Sequence, residues 1–325
     1  MEEQWPEFEY SGRLVFNGLS HLAEIDKKTD LREIYSKLPH YESGTPFEPG
    51  EGFNLINFTD FPEYRDLNPE LTQHADSMLH FVYKREKYTE EQMVNSDGET
   101  EQVFTKDLDT VDIFLTKSGH MMFMGAKNIV KQAQDKVHAI LVDQMPIEEL
   151  ELQSDFLVWL FYKHQQKQNI SERLRTDRLT DAKVSGEADV FGSTRRISGS
   201  TDLLRSPPII TALLQNESLE TIGGDFVCLG NYHISSDISK NGRIHIKSRG
   251  EIQHSSDLRR VVLSSLFVNE VLDAYDTWLK MEPKQKYPPE EFFTRLYTRL
   301  EELSVSLEFP LDRVIENYKQ KREEL

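Results

Sequence analysis

Two long runs of alternating character, SMLHFVYKREKYTEEQMV at 77–94 and ETEQVFTKDLDTVDIFLT at 99–116, are separated only by the turn sequence NSDG. Period-two alternation around a Gly-containing turn predicts an antiparallel hairpin. KSGH at 117–120 then turns the chain into MMFMGAK, which extends the pattern to a β-meander over 77–127. NIVKQAQDKVHAIL follows as an amphipathic helix, with Ile129, Val130, Ala133, Val137, Ile140 and Leu141 on one stripe. Strands in series followed by a helix imply an α+β domain built on an antiparallel sheet. Upstream, GRLVFNGL reads as a strand and DLREIYSKL as a short helix capped by Asp30, while the Pro- and Gly-rich residues 40–70 read as largely irregular.

Residues 148–180 are predicted to be helical, with Ser154 as a cap for FLVWLFY and with SERLRTDRL as a continuation. Periodicity breaks over 182–208, and Pro207-Pro208 suits the start of a helix at IITALLQN. GDFVCLGNYHISSDISKNGRIHIKSRGEI reads as a hairpin. Parity favours a three-residue loop, Lys240-Asn241-Gly242, because this puts Ile238 opposite Ile244 and Asp237 opposite His245. The remainder reads as helices over 256–281, 290–304 and the C-terminal PLDRVIENYKQKREEL. The expected organisation is an α+β domain with an antiparallel sheet at 1–147 and a helix with a basic, Gly/Ser-rich connecting segment at 148–205. A hairpin-plus-helical domain follows at 206–325, so the class is α+β with a helix-rich C-terminal part.

Composition excludes several classes of function. A chain of 325 residues that is 38% hydrophobic can fill real cores, and it contains no apolar run near the length of a membrane span. MEEQWPEFEYSG lacks the basic flank and apolar stretch of a secretory signal. Cys228 is the one cysteine, which rules out an intramolecular disulfide and a Cys-based zinc site and suggests a reducing, cytoplasmic setting. Its apolar surroundings predict a buried, inert thiol. The formal charge of −18 is uneven: residues 1–162 carry −17, 163–205 carry +3 and 206–325 carry −4. A strongly acidic first half repels nucleic acid and acidic membranes, so any polyanion would have to meet the middle of the chain.

Several motifs invite chemistry. With Ser118-Gly119 as the turn, Asp112 falls opposite Gly125 and shares a face with Lys127. An Asp on one strand and a Lys on the next resembles the PD-(D/E)xK nuclease core, in which two carboxylates hold a divalent ion and the Lys supports the attacking water. The resemblance covers fewer than 20 residues, and Gly125 stands where the second carboxylate is required. None of the ten histidines has the HxH or HxxxH spacing of a metal pair, and no Walker loop, GxSxG or GxGxxG occurs. No metal and no cofactor is therefore expected.

The remaining feature is the basic segment. Lys163, Lys167, Arg175 and Arg178 are expected on or near a helix, with Arg175 and Arg178 on one face, and Lys183, Arg195, Arg196 and Arg205 in the loop that follows. These eight residues either read an anion together or belong to a solvated linker whose charges pair with the acidic half. The sequence thus predicts a non-catalytic binding, regulatory or assembly subunit with a protein partner or self-association. Nucleic acid or another polyanion would contact 163–205. The alternatives are a divergent nuclease using Asp112 and Lys127 and a scaffold that oligomerises through its C-terminal helices.

Overall fold

The structure, a computed structural model, describes residues 8, 10, 12–23, 30–94, 99–142, 145–186, 193–303 and 311–323. The chain divides into two units, one formed by Met1–Leu150 with Ser256–Ser265 and the other by Glu151–Ser255 with Leu266–Leu325. Antiparallel strands joined to segregated helices make the fold α+β.

The first unit contains β1 (Val15–Leu22), β2 (Glu51–Ile56), β3 (Met78–Val94), β4 (Thr100–Thr116), β5 (His120–Met124) and β6 (Ile147–Glu149). They pair antiparallel in the order β2-β3-β4-β5-β1, and β6 also joins β1. Helices α1 (Leu31–Tyr35), α2 (Pro69–Ser77) and α3 (Lys127–Leu141) complete the unit. Alternation assigns the sheet faces: Leu79, Phe81 and Tyr83 of β3 and Val111, Ile113 and Leu115 of β4 join the α3 stripe in one core. Asp30 caps α1 by accepting from the Arg32 amide at 2.9 Å. The expected meander is present, although its NSDG turn lies outside the described residues.

The β4–β5 turn differs from expectation. Leu115 faces Met121 and Asp112 faces Met124, so the loop is Lys117–Gly119 and Asp112 is not opposite Gly125. Gly119 takes a φ of 87°, the left-handed position that a three-residue hairpin loop requires.

Within the irregular stretch, residues 41–50 are organised by one carboxylate. Glu86, 2% exposed, accepts from the Tyr41 and Ser43 hydroxyls at 2.7 and 2.9 Å and from the Gly44 and Gly50 amides at 2.9 and 2.8 Å. Lys106 also pairs with it. Hydrogen bonds from Lys106 and Tyr41, ahead of the opposing effect of burial, hold its carboxyl well below the usual carboxylate range.

The second unit contains β7 (Leu174–Ser185), β8 (Thr194–Ile197), β9 (Ser218–Cys228), β10 (Tyr232–Ser239) and β11 (Ile244–Ile246), paired antiparallel in the order β11-β10-β9-β7-β8. Its helices are α4 (Ser154–Gln165), α5 (Pro207–Leu214) and α6 (Glu251–His254), followed by α7 (Asp257–Leu279), whose first residues belong to the first unit. Three more follow: α8 (Pro283–Lys286), α9 (Glu290–Glu302) and α10 (Leu311–Lys321). Helix α4 buries every residue from Phe156 to Phe161, as an apolar helix in the middle of a core must. Pro207 and Pro208 open α5, and Ile238 and Asp237 face Ile244 and His245, both as the sequence predicts. Cys228 is buried.

One long helix over 148–180 does not form. The chain leaves α4 at Gln165 and enters β7 at Leu174. The β7–β9 ladder is irregular between Thr176 and Arg178, between Leu179 and Asp181, and between Lys183 and Val184. The buried residues Leu174, Leu179, Ala182 and Val184 are therefore spaced unevenly, and no period of two survives in the sequence. Residues 194–197 are likewise a strand rather than part of a connection.

Replacing Glu86 by Gln should lower stability, with local amide protection lost over 41–50. A carboxyl whose pKa is depressed on folding stabilises above its unfolded value, about 4.3, and that contribution fades as pH falls through the window below it. Urea unfolding should therefore show the gap between wild type and Glu86→Gln widest at pH 7 and narrowing on acidification. A gap independent of pH would contradict this.

Candidate anion-binding face

The strand assignment redistributes the basic segment. Arg195 is 5% exposed and serves the interior: it pairs with Glu217 at 2.5 Å and donates to the Pro208 carbonyl at 3.3 Å. Arg178 is exposed on β7 but held by Asp225 at 2.8 Å, and Arg205 lies 3.9 Å from Asp202. Lys163, in the last turn of α4, lies over the Trp159 ring at 5.3 Å and bonds Gln168, and burial pushes its ammonium pKa down. Lys167 is exposed just past α4 with a φ of 53°. Arg175 and Arg178 share no helical face, because both lie on β7 with a bulge between them. The eight cations thus do not converge.

Two of them do meet. Lys183 of β7 and Arg196 of β8 are direct register partners on the exposed face. Like charges opposed across two strands cost stability, about 0.2–1 kcal/mol by the usual scale of cross-strand pairs. They open on a cavity of about 250 Å³ whose other lining residues include Arg243, Asn241, Thr221, Ser239, Asp181, Asp237 and Glu220. Arg243, just after the β10–β11 turn, is the third exposed cation there. Among the described residues, Lys183, Arg196 and Arg243 have no ion pair and no side-chain hydrogen bond, whereas every acid in the lining has one.

Those acids are compensated from within. Lys247 reaches Asp181 at 2.9 Å and Asp237 at 2.8 Å, and Glu220 pairs with Lys240 at 2.7 Å. Burial disfavours the charged form of Asp181, but bonds from Thr180, Lys247 and the Gly199 amide outweigh it and hold the carboxyl below its ordinary value. Asp237 behaves alike: burial is opposed and outweighed by His245 and Lys247. The glycine at 223 makes the arrangement fit. It is the register partner of both aspartates, and a Cβ there would stand 2.0 Å from Asp237 Oδ1 and 3.0 Å from the Asp181 Cβ. Chemically, the cavity offers three cations without ion pairs, the hydroxyls of Thr221 and Ser239 and the Asn241 amide, beside acids already paired with Lys247 and Lys240, a donor set that suits an oxyanion such as phosphate.

The residues of the nuclease-like hairpin do not form such a site. Asp112 is buried at 3% exposure and bonds His80 Nε2 at 2.9 Å, with the His80 ring stacked between Phe58 and Phe114. Lys127 is exposed as the first residue of α3. Two features escaped sequence reasoning. Arg243 sits in a different part of the chain from the basic segment, and only the β10–β9–β7–β8 order brings it near. His21 and His120 are cross-strand partners with rings 5.6 Å apart, a proximity that separation in sequence hides.

No family model matches the chain, and no curated protein is found to be similar to it. Among the described residues no helix is long and apolar enough to cross a membrane.

Neighbouring arginines should respond oppositely to truncation. Arg195→Ala leaves Glu217 without its buried partner and should destabilise by about 3–5 kcal/mol. Arg196→Ala relieves the like-charge contact with Lys183 and should leave stability unchanged or raise it, by no more than about 1 kcal/mol. Equal effects in denaturant titrations would contradict the burial assignment.

Proposed function

We propose that the protein is a non-catalytic binding or assembly subunit that holds nucleic acid or another polyanion through Lys183, Arg196 and Arg243. The observation that carries this reading is the asymmetry of compensation in one cavity, where the acids are satisfied internally and the three cations are not. The three acids that share the lining, Asp181, Asp237 and Glu220, are paired with Lys247 and Lys240 and form no ion pair with these cations. Among the described residues no aromatic ring lines the cavity, which favours contact with phosphates over stacking on bases. The lone buried Cys228 is consistent with a cytoplasmic setting. The commitment of Asp112 to His80 and the exposure of Lys127 on a helix give the nuclease alternative no support. The scaffold alternative needs apolar helix faces in solvent, yet Leu279 and Leu303 are the exposed large apolar residues of α7, α9 and the residue after it.

Fluorescence anisotropy with short labelled DNA and RNA across a salt series tests the reading. Binding should weaken with salt, with a log–log slope of up to about −3 for three neutralised phosphates. Lys183→Glu/Arg196→Glu/Arg243→Glu should abolish it and leave the unfolding midpoint unchanged. Absence of binding at low salt by the folded protein would overturn the proposal.

A further inference from the structure

Strands β3 and β4 remain paired with each other from Met78↔Thr116 to Val94↔Thr100. Their outer neighbours stop earlier: β2 accompanies β3 only as far as Arg85, and β5 accompanies β4 only from Asp112. Beyond those points, 87–94 and 100–109 form a two-stranded ribbon with no further strand on either edge among the described residues. A hairpin of this kind is marginal in water without a third strand or a packed face. Its unpaired amides and carbonyls form a ready template for another strand.

The ribbon is also where apolar surface is exposed. Of nine large hydrophobic residues exposed among the described residues, six are here or against it: Phe47, Met93, Val94, Val103, Phe104 and Leu108. Phe47, 85% exposed, meets Phe104 in a T-shaped contact with ring centroids 5.9 Å apart. Clustering of this sort marks an interaction surface, whereas scattered single residues do not.

Charge selects the partner. The ribbon's cations are already engaged, Lys87 with Asp109 and Lys106 with Glu86. Glu90 and Glu91 form no ion pair among the described residues, so a second acidic ribbon from another copy would be repelled. We infer that the β3–β4 ribbon docks a basic, extended segment of a different protein, which adds as a strand to the open edge of β3 and sets its lysines or arginines against Glu90 and Glu91. This surface is independent of the cation-lined cavity.

The probe is a synthetic peptide of alternating Lys and Val, with an alternating Glu–Val peptide as control, read by hydrogen–deuterium exchange of the full chain. The Lys–Val peptide should slow exchange over 87–94 by about tenfold and leave other segments unchanged. Binding should weaken about tenfold in Glu90→Lys/Glu91→Lys and in Phe47→Ser, each checked for an unchanged unfolding midpoint. Lys183→Glu/Arg196→Glu/Arg243→Glu should bind the peptide normally, which separates this surface from the polyanion site. Protection elsewhere, equal protection by the Glu–Val peptide, no protection, or a concentration-dependent dimer protected at the ribbon would each overturn the inference.

Discussion

The pairing of β7 with β9 decides what the basic segment can do. On the other side of β7, β8 pairs in regular register, and alternation along β8 turns Arg195 inward to Glu217 and leaves Arg196 beside Lys183 on the outer face. A helix over the same residues would have spread these charges around a cylinder. Paired strands instead sort them into one structural cation and two that face solvent. The β7–β9 ladder brings β9 and β10 alongside, so that Arg243 reaches the same cavity.

Neutralisation within the sheet gives that face its character. A carboxylate surrounded by protein is tolerated only when hydrogen bonds and opposite charge compensate its lost hydration. Asp181 and Asp237 meet this condition by sharing Lys247 across Gly223, and Glu220 meets it with Lys240. Glu86 in the first unit obeys the same rule, with the donors of a loop added to its pairing with Lys106. Lys183, Arg196 and Arg243 depart from this pattern, and an outside anion is the group that would complete it.

Much of the fold was legible in the sequence because period and parity are local. The β3–β4–β5 meander, the α3 stripe, the Asp30 cap, the Pro207-Pro208 start of α5 and the Lys240–Gly242 loop all follow from residues close to one another in the chain. β7 was illegible because bulges remove the very period that reveals a strand, so SERLRTDRL reads as the continuation of a helix. The site was half legible. Lys183 and Arg196 stood out by charge, but whether a charged side chain is buried depends on the face it takes, which adjacent Arg195 and Arg196 settle in opposite ways. Arg243 required the strand order, and that is set by contacts no local pattern records.

The most direct measurement is side-chain NMR of lysine ammonium and arginine guanidinium groups during titration with a short DNA duplex. The account predicts that resonances of Lys183, Arg196 and Arg243 shift together and saturably, while those of Arg195 and Lys247, already held by Glu217 and by the two aspartates, stay in place. Shifts confined to Lys163, Lys167, Arg175 or Arg205, or a duplex that moves none of these resonances at low salt, would contradict it.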